Sequence, residues 1–180
     1  GQYDYSQLNE LDINDLLGRE PSMADEALIQ SQVTDQVVLV TGAGGSIGSE
    51  LCRQVLHRKP KILLLYDISE LALYTLNNEL QKILCQLIQA EKVGSSENNS
   101  GNIDLMPSIV PLLGSITDEN RVKDVISTWR PNIIYHAAAV KHVPIVEQNI
   151  VESVKTNIFG TLVMAKVAIE CQVDRFILVS

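Results

Sequence analysis

From Gln36 onward, apolar residues along this chain switch repeatedly between short continuous runs and a helical period. Short apolar runs rich in β-branched residues, at 37–41, 62–66, 108–113, 132–136 and 175–179, read as five strands. Between them lie stretches whose apolar residues recur three and four apart. Ile47, Leu51, Val55 and Leu56 line one face of a helix over 46–57. Leu73, Leu76, Leu80, Ile83, Leu84, Leu87 and Ile88 do the same over 69–91. A third helix is expected over 118–129, with Asp118 at its N-cap. A fourth is expected to start at Val146 or Asn149 and run unbroken to Gln172.

Strands that read as continuous apolar runs, alternating with helices, predict a parallel sheet covered on both faces. Right-handed crossovers favour a doubly wound α/β sheet of five strands in the order 3-2-1-4-5, a Rossmann-like fold. The last strand would leave a bare edge, and the first residue is Gly1, so the expectation is a piece of a longer chain that stops before a C-terminal substrate lobe. Two segments stand apart from this pattern. Residues 1–35 form an acidic N-terminal arm, with Leu8, Leu11, Leu16 and Leu17 at helical spacing over 6–17 and a second short helical stretch over 23–30. Residues 94–104, GSSENNSGNID, are a polar insert with nothing to bury. The remaining domain, 36–180, is expected to bind a dinucleotide and to be incomplete.

Composition narrows the function. Apolar residues at 46% and charged residues at 20% exclude a chain disordered throughout. The net charge of −8 is concentrated in the arm, where eight carboxylates face Arg19 alone; the rest is close to neutral. With no basic stripe, two Phe and one Trp, the chain lacks the signature of nucleic-acid binding. Cys52, Cys85 and Cys171 are far apart and read as reduced, buried thiols of a cytoplasmic protein. They and His57, His136 and His142 have no metal-ligand spacing, so no metal site is expected.

The most specific chemistry sits between the first strand and the first helix, in Thr41-Gly42-Ala43-Gly44-Gly45-Ser46-Ile47-Gly48. Glycines three apart in this position permit a tight strand-to-helix turn and a close approach of pyrophosphate to bare backbone, at the positive end of a helix. Asp67, at the end of the second strand, follows at the interval expected of a carboxylate that hydrogen-bonds an adenosine ribose diol. The same residue is also a plausible helix cap. A carboxylate there would repel a 2′-phosphate, and Ile68, Ser69 and Glu70 bring no cation to offset it, which favours NAD over NADP. The absence of Gly-Lys-Ser/Thr excludes a nucleoside-triphosphate P-loop.

The glycine spacing resembles the extended branch of the short-chain dehydrogenase/reductase superfamily. A second block, His136-Ala137-Ala138-Ala139-Val140-Lys141-His142-Val143-Pro144 followed by Glu147, Asn149, Glu152, Asn157, Gly160 and Thr161, is similar to the polysaccharide-biosynthesis nucleotide-sugar dehydratases. That group comprises UDP-N-acetylglucosamine 4,6-dehydratases and related epimerases. The resemblance implies that Gly42, Gly44, Gly45, Ser46, Ile47 and Gly48 cradle the pyrophosphate, and that Asp67 and Ile68 flank the adenosine ribose. It places Ser115 and Ile116 beside the adenine, Ala137, Ala138 and Ala139 along the cofactor, and Lys141 at the nicotinamide ribose. Asn157 would be a polar tie near the nicotinamide, or a plain helix-to-loop hydrogen bond. His136, at a strand end, reads as a hydrogen-bonded structural histidine.

In similar enzymes an Asp and Lys pair and a Tyr or Met with Lys follow the fifth strand. None lies in this chain, so no catalytic residue is assigned and the fragment is expected to be inactive alone. The parent reaction implied is hydride removal from the sugar C4, loss of water across C5 and C6, and return of the hydride to C6, on a UDP-sugar. A 4-epimerase of the same branch and a non-catalytic dinucleotide-binding module are the alternatives. The helix over 149–172 is apolar nearly all round, and in similar enzymes it pairs with a second copy, so a homo-oligomer is expected. The resemblance of the arm to long relatives implies a parent anchored to the inner face of the cell membrane.

Overall fold

The computed structural model describes residues 26–94 and 106–179. The helix expected over 6–17 and residues 95–104 of the polar insert lie outside that set. The described elements are α1 (Glu26–Val33), β1 (Val37–Thr41), α2 (Ser46–His57), β2 (Ile62–Asp67), α3 (Glu70–Gly94) and β3 (Ser108–Leu113), then α4 (Glu119–Trp129), β4 (Ile133–His136), α5 (Val143–Gln148) and α6 (Ile150–Val154). A π turn (Lys155–Gly160), α7 (Thr161–Glu170) and β5 (Arg175–Leu178) complete them.

All strand pairs are parallel, and the order is β3-β2-β1-β4-β5. The chain therefore folds as the Rossmann-like sheet its pattern predicts. Alternation along each strand divides the core in two. Val38, Val40, Leu63 and Leu65 face Cys52, Val55 and Leu56 of α2 and Leu73, Leu76, Leu80 and Leu84 of α3. Leu39, Leu64 and Tyr66 face Val122, Val125 and Ile126 of α4 and Met164, Val167 and Ala168 of α7. Both faces being covered explains why β1 and β2 carry no polar alternation.

Four expectations are corrected. Of the stretch expected over 23–30, residues 23–25 lie outside the described set; the helix over the rest, Glu26–Val33, runs three residues beyond the expected end, to Val33, which is 1% exposed and belongs to the core. α3 runs through Gly94, three residues beyond its expected end and onto the first residue of the insert. The thiols are free, but only Cys52 is buried; Cys85 is exposed, because it lies off the apolar stripe of α3. The continuous fourth helix is instead α5, a break at Asn149, α6, the π turn and α7. Asn149 has φ −133°, so the chain turns there before helix resumes. Asp118 is the N-cap expected of it, its side chain accepting from the Arg121 amide at 3.0 Å.

Candidate functional site

The parallel register brings the C-terminal ends of β1, β2, β3 and β4 to one edge of the sheet, at residues 41, 67, 113 and 136. The chain reverses direction of travel across the sheet between β1 and β4, and ligands of such sheets sit in that crevice. Here the crevice is a cleft of about 510 Å³, inside the range of small-molecule and cofactor sites, roughly 300 to 1,000 Å³.

Ten residues singled out from the sequence line it: Gly42, Gly44 and Gly45; Asp67 and Ile68; Ser115 and Ile116; and Ala137, Ala138 and Ala139. They come from four separate strand ends. Ser46, Ile47, Gly48, Lys141 and Asn157 do not line the cleft and play supporting parts.

The glycine turn is built around two close approaches. Gly42 has φ +64°, the left-handed region, and a Cβ there would come within 2.6 Å of the Ala138 Cα. A Cβ at Gly48 would run into the Gly42 carbonyl oxygen. The first turn of α2 thus rests directly on the loop, with Gly45 as its N-cap at φ −74° and no side chain satisfying the cap. Its first amides are left to an external acceptor. This is a cradle that side chains would fill, and it fits a diphosphate.

Asp67 faces the turn. Its Oδ2 accepts from the Gly44 amide at 2.9 Å, and its Oδ1 accepts from the Ser69 amide at 2.9 Å. Ser69, not Asp67, caps α3, its Oγ accepting from the Ala72 amide at 3.3 Å. The carboxylate is therefore fixed in orientation at the cleft with lone pairs remaining on each oxygen.

The opposite wall is the segment after β4. Asn157, on the π turn, holds it by both ends of its amide: Oδ1 accepts from the Val140 amide at 2.8 Å and Nδ2 donates to the Val140 carbonyl at 2.9 Å. The helix-to-loop reading of this residue is the geometry found. Lys141 Nζ reaches Ser46 Oγ at 3.5 Å, spanning from this segment to the start of α2.

His136 is 1% exposed and uses both ring nitrogens. The Thr161 hydroxyl donates to the Asn157 carbonyl at 2.8 Å, so its oxygen accepts from His136 Nε2 at 3.0 Å. Nδ1 then accepts from the Thr41 hydroxyl at 2.7 Å. Burial holds its pKa down at about 4. A neutral imidazole is what this arrangement needs, which is the structural role read from the sequence.

Tyr66, Ser69, Ala72, Gly114, Val140 and Thr156 also line the cleft and were not singled out. Tyr66, Ser69, Gly114 and Val140 adjoin residues that were, or follow directly on them, so their place at or just past strand ends could have found them. Ala72, in the first turn of α3, and Thr156, on the π turn, lie on helical elements and could not be found that way. The π turn inserts about one extra residue per turn and so changes which positions of the helix face the cleft.

Residues 38–180 match the family model described as "Polysaccharide biosynthesis protein". The chain is 36% identical over its whole length to capsular polysaccharide biosynthesis protein CapD of Staphylococcus aureus, and covers 27% of that protein. It is 27% identical over 124 residues to a UDP-N-acetylglucosamine 4,6-dehydratase (inverting) of Campylobacter jejuni, covering 68% of this chain and 29% of the relative. Among solved structures, UDP-glucose-4-epimerase of Stenotrophomonas maltophila, with bound NAD and formylated UDP-arabinopyranose, shares its fold. The TM-score is 0.59 at 16% identity, over 79% of this chain and 36% of that one. The chain thus spans about a quarter to a third of the length of these relatives.

Proposed function

The chain belongs to the polysaccharide biosynthesis protein family, and we propose that it forms the NAD-binding part of a nucleotide-sugar 4,6-dehydratase acting on a UDP-N-acetylhexosamine. The observation that carries the cofactor half is the fixed Asp67 carboxylate beside an uncapped, side-chain-free turn. In this reading Gly42, Gly44, Gly45, Ser46, Ile47 and Gly48 form the pyrophosphate cradle, and Asp67 with Ile68 takes the adenosine ribose. Ser115 and Ile116 border the adenine, Ala137, Ala138 and Ala139 let the dinucleotide lie close to β4, and Lys141 and Asn157 set the nicotinamide end. When bound, the nicotinamide would supply reversible hydride transfer. The residues of this chain would bind and orient it, while proton transfer falls to groups outside it. A 4-epimerase differs only in whether the C5 proton leaves. Mass spectrometry of the product made by the whole protein separates the two: loss of water marks a dehydratase, unchanged mass an epimerase.

Calorimetric titration tests the cofactor reading. NAD is expected to saturate, and NADP to bind at least tenfold more weakly, because two phosphate charges would meet Asp67 without a compensating cation. Asp67→Asn is expected to weaken NAD roughly tenfold and to narrow the preference, since it removes charge-assisted bonds. No saturable NAD signal from the wild-type chain would end this reading.

A UDP-sugar as the parent's substrate and self-association are part of the same proposal. Ile150, Val151, Ile158 and Leu162 are each about 60% exposed, a run of apolar surface along one helical segment. Sedimentation velocity is expected to give a dimer that Ile158→Asp and Leu162→Asp together convert to a monomer. No helix among the described residues is long and apolar enough to cross a membrane. A cytoplasmic site of action follows from the proposed NAD and nucleotide-sugar chemistry, and an anchor in the parent rests on the resemblance of the arm alone.

A further inference from the structure

Tyr66 is among the largest fully buried side chains of the chain, yet its hydroxyl leaves the core to donate to the Ser115 carbonyl at 2.9 Å. Gly114 lies against the phenol end of the ring: a Cβ there would strike the hydroxyl and come within 2.8 Å of Cζ. The loop from Leu113 to Asp118 is tied at further points. The Gly114 amide donates to the Asp67 carbonyl at 2.9 Å, and Arg121 Nε donates to the Leu113 carbonyl at 3.1 Å. Within the loop, the Asp118 amide donates to the Ser115 carbonyl at 3.2 Å and the Ser115 and Thr117 hydroxyls meet at 2.8 Å. Of these ties, only that of Tyr66 reaches from the hydrophobic core to the segment that lines the cleft beyond β3.

We propose that Tyr66 is a positioning residue for the adenosine side of the dinucleotide, acting by clamping the 114–116 loop at the height where a flat base is accepted. This rests on the dinucleotide reading above. The ring supplies a rigid floor, and the hydroxyl joins the Asp118 amide on the Ser115 carbonyl, adding to that local bond the one that comes from the core. Burial raises the phenol to about 12, so it stays a donor throughout the neutral range. Arg121 and Asp118 are the charged groups acting on it, with opposite effects.

Tyr66→Phe keeps the floor and deletes the tie. Hydrogen exchange on the ligand-free protein is expected to speed up in 113–118 and to stay unchanged in β1 and β4. Calorimetry is expected to show NAD and ADP-ribose weakened by the same factor, roughly three- to tenfold, as befits one neutral hydrogen bond. Nicotinamide mononucleotide, which lacks adenosine, is expected to bind as it does to the wild type. A merely structural role would weaken all three ligands together, and that result overturns the proposal. Unchanged exchange in 113–118 overturns the clamp itself, and faster exchange with unchanged ADP-ribose affinity overturns its role in binding. Failure of the wild type to bind ADP-ribose overturns the dinucleotide reading instead, while the exchange data still decide the clamp.

Discussion

Gly42→Ala is expected to abolish saturable dinucleotide binding and to lower the melting temperature by roughly 10 °C or more. Two costs combine at this position. A left-handed φ of +64° costs a non-glycine residue roughly 1 to 2 kcal/mol. The new methyl would also lie 2.6 Å from the Ala138 Cα and 2.7 Å from its nitrogen, atoms of backbone that cannot rotate aside. Relief requires the 137–140 segment to move off β1, and overpacking of this kind costs roughly 1 to 3 kcal/mol more. A loss of several kcal/mol shifts the midpoint of a chain this size by about 2 to 4 °C per kcal/mol. The movement also parts the two walls of the cleft, so binding is expected to fail even in the protein that remains folded. Gly45→Ala is the control. Its Cβ would meet only the Gly42 oxygen, at 3.2 Å, with an ordinary φ, and a shift of a few tenths of an ångström absorbs it. Thermal melts of the two variants check the contrast in stability, with NAD titration read on Gly42→Ala alone because Gly45 belongs to the proposed pyrophosphate cradle; equal melting midpoints would mean that the turn is not held as described.

Acidification is expected to unfold the chain through His136. Its pKa is about 4 in the folded state and near 6.5 when unfolded. Between those values the unfolded chain binds the extra proton and the folded chain does not, so stability falls as pH drops from about 6.5 to about 4. The contribution is fully present above pH 7 and is on the order of 2 to 3 kcal/mol across the window. The cause is geometric: protonation would force Nδ1 to donate toward Thr41, whose hydroxyl now donates to it, in a site closed to water. His136→Gln is expected to lower stability at pH 7.5 and to flatten the slope between pH 6.5 and 4. Denaturant melts across that range check it, and an unchanged slope in the variant would assign the acid sensitivity elsewhere. The exposed ion pairs Lys166–Glu119 and Lys123–Glu170, between α7 and α4, contribute little by comparison.

The sheet order, the glycine turn and Asp67 were legible because each rests on local rules. Apolar runs bounded by turns make strands, right-handed crossovers order them, and the glycine spacing states where backbone must come close. The Ala137–Ala139 run and Ser115 were legible through likeness to relatives and their position after strands, not through any pattern of their own. The break at Asn149 and the π turn were not legible, since Val146 to Gln172 keeps a helical apolar spacing throughout. Asn149, Asn157 and Thr161 interrupt that spacing only weakly.

What the sequence by itself determined is which residues arrive at the C-terminal edge of the sheet, because the ends of the apolar runs mark where each strand stops and parallel strands joined by right-handed crossovers bring those ends together. What the tertiary structure alone decided is how those residues are used. Asp67 is aimed by the Ser69 amide of its own loop and by the Gly44 amide of the turn after β1. Asn157 grips Val140 rather than facing the cleft, and Thr156 faces it instead. The reason is that a hydrogen bond depends on direction to within a few tens of degrees and on distance to a few tenths of an ångström. Spacing along a chain carries no such information until neighbouring elements have packed.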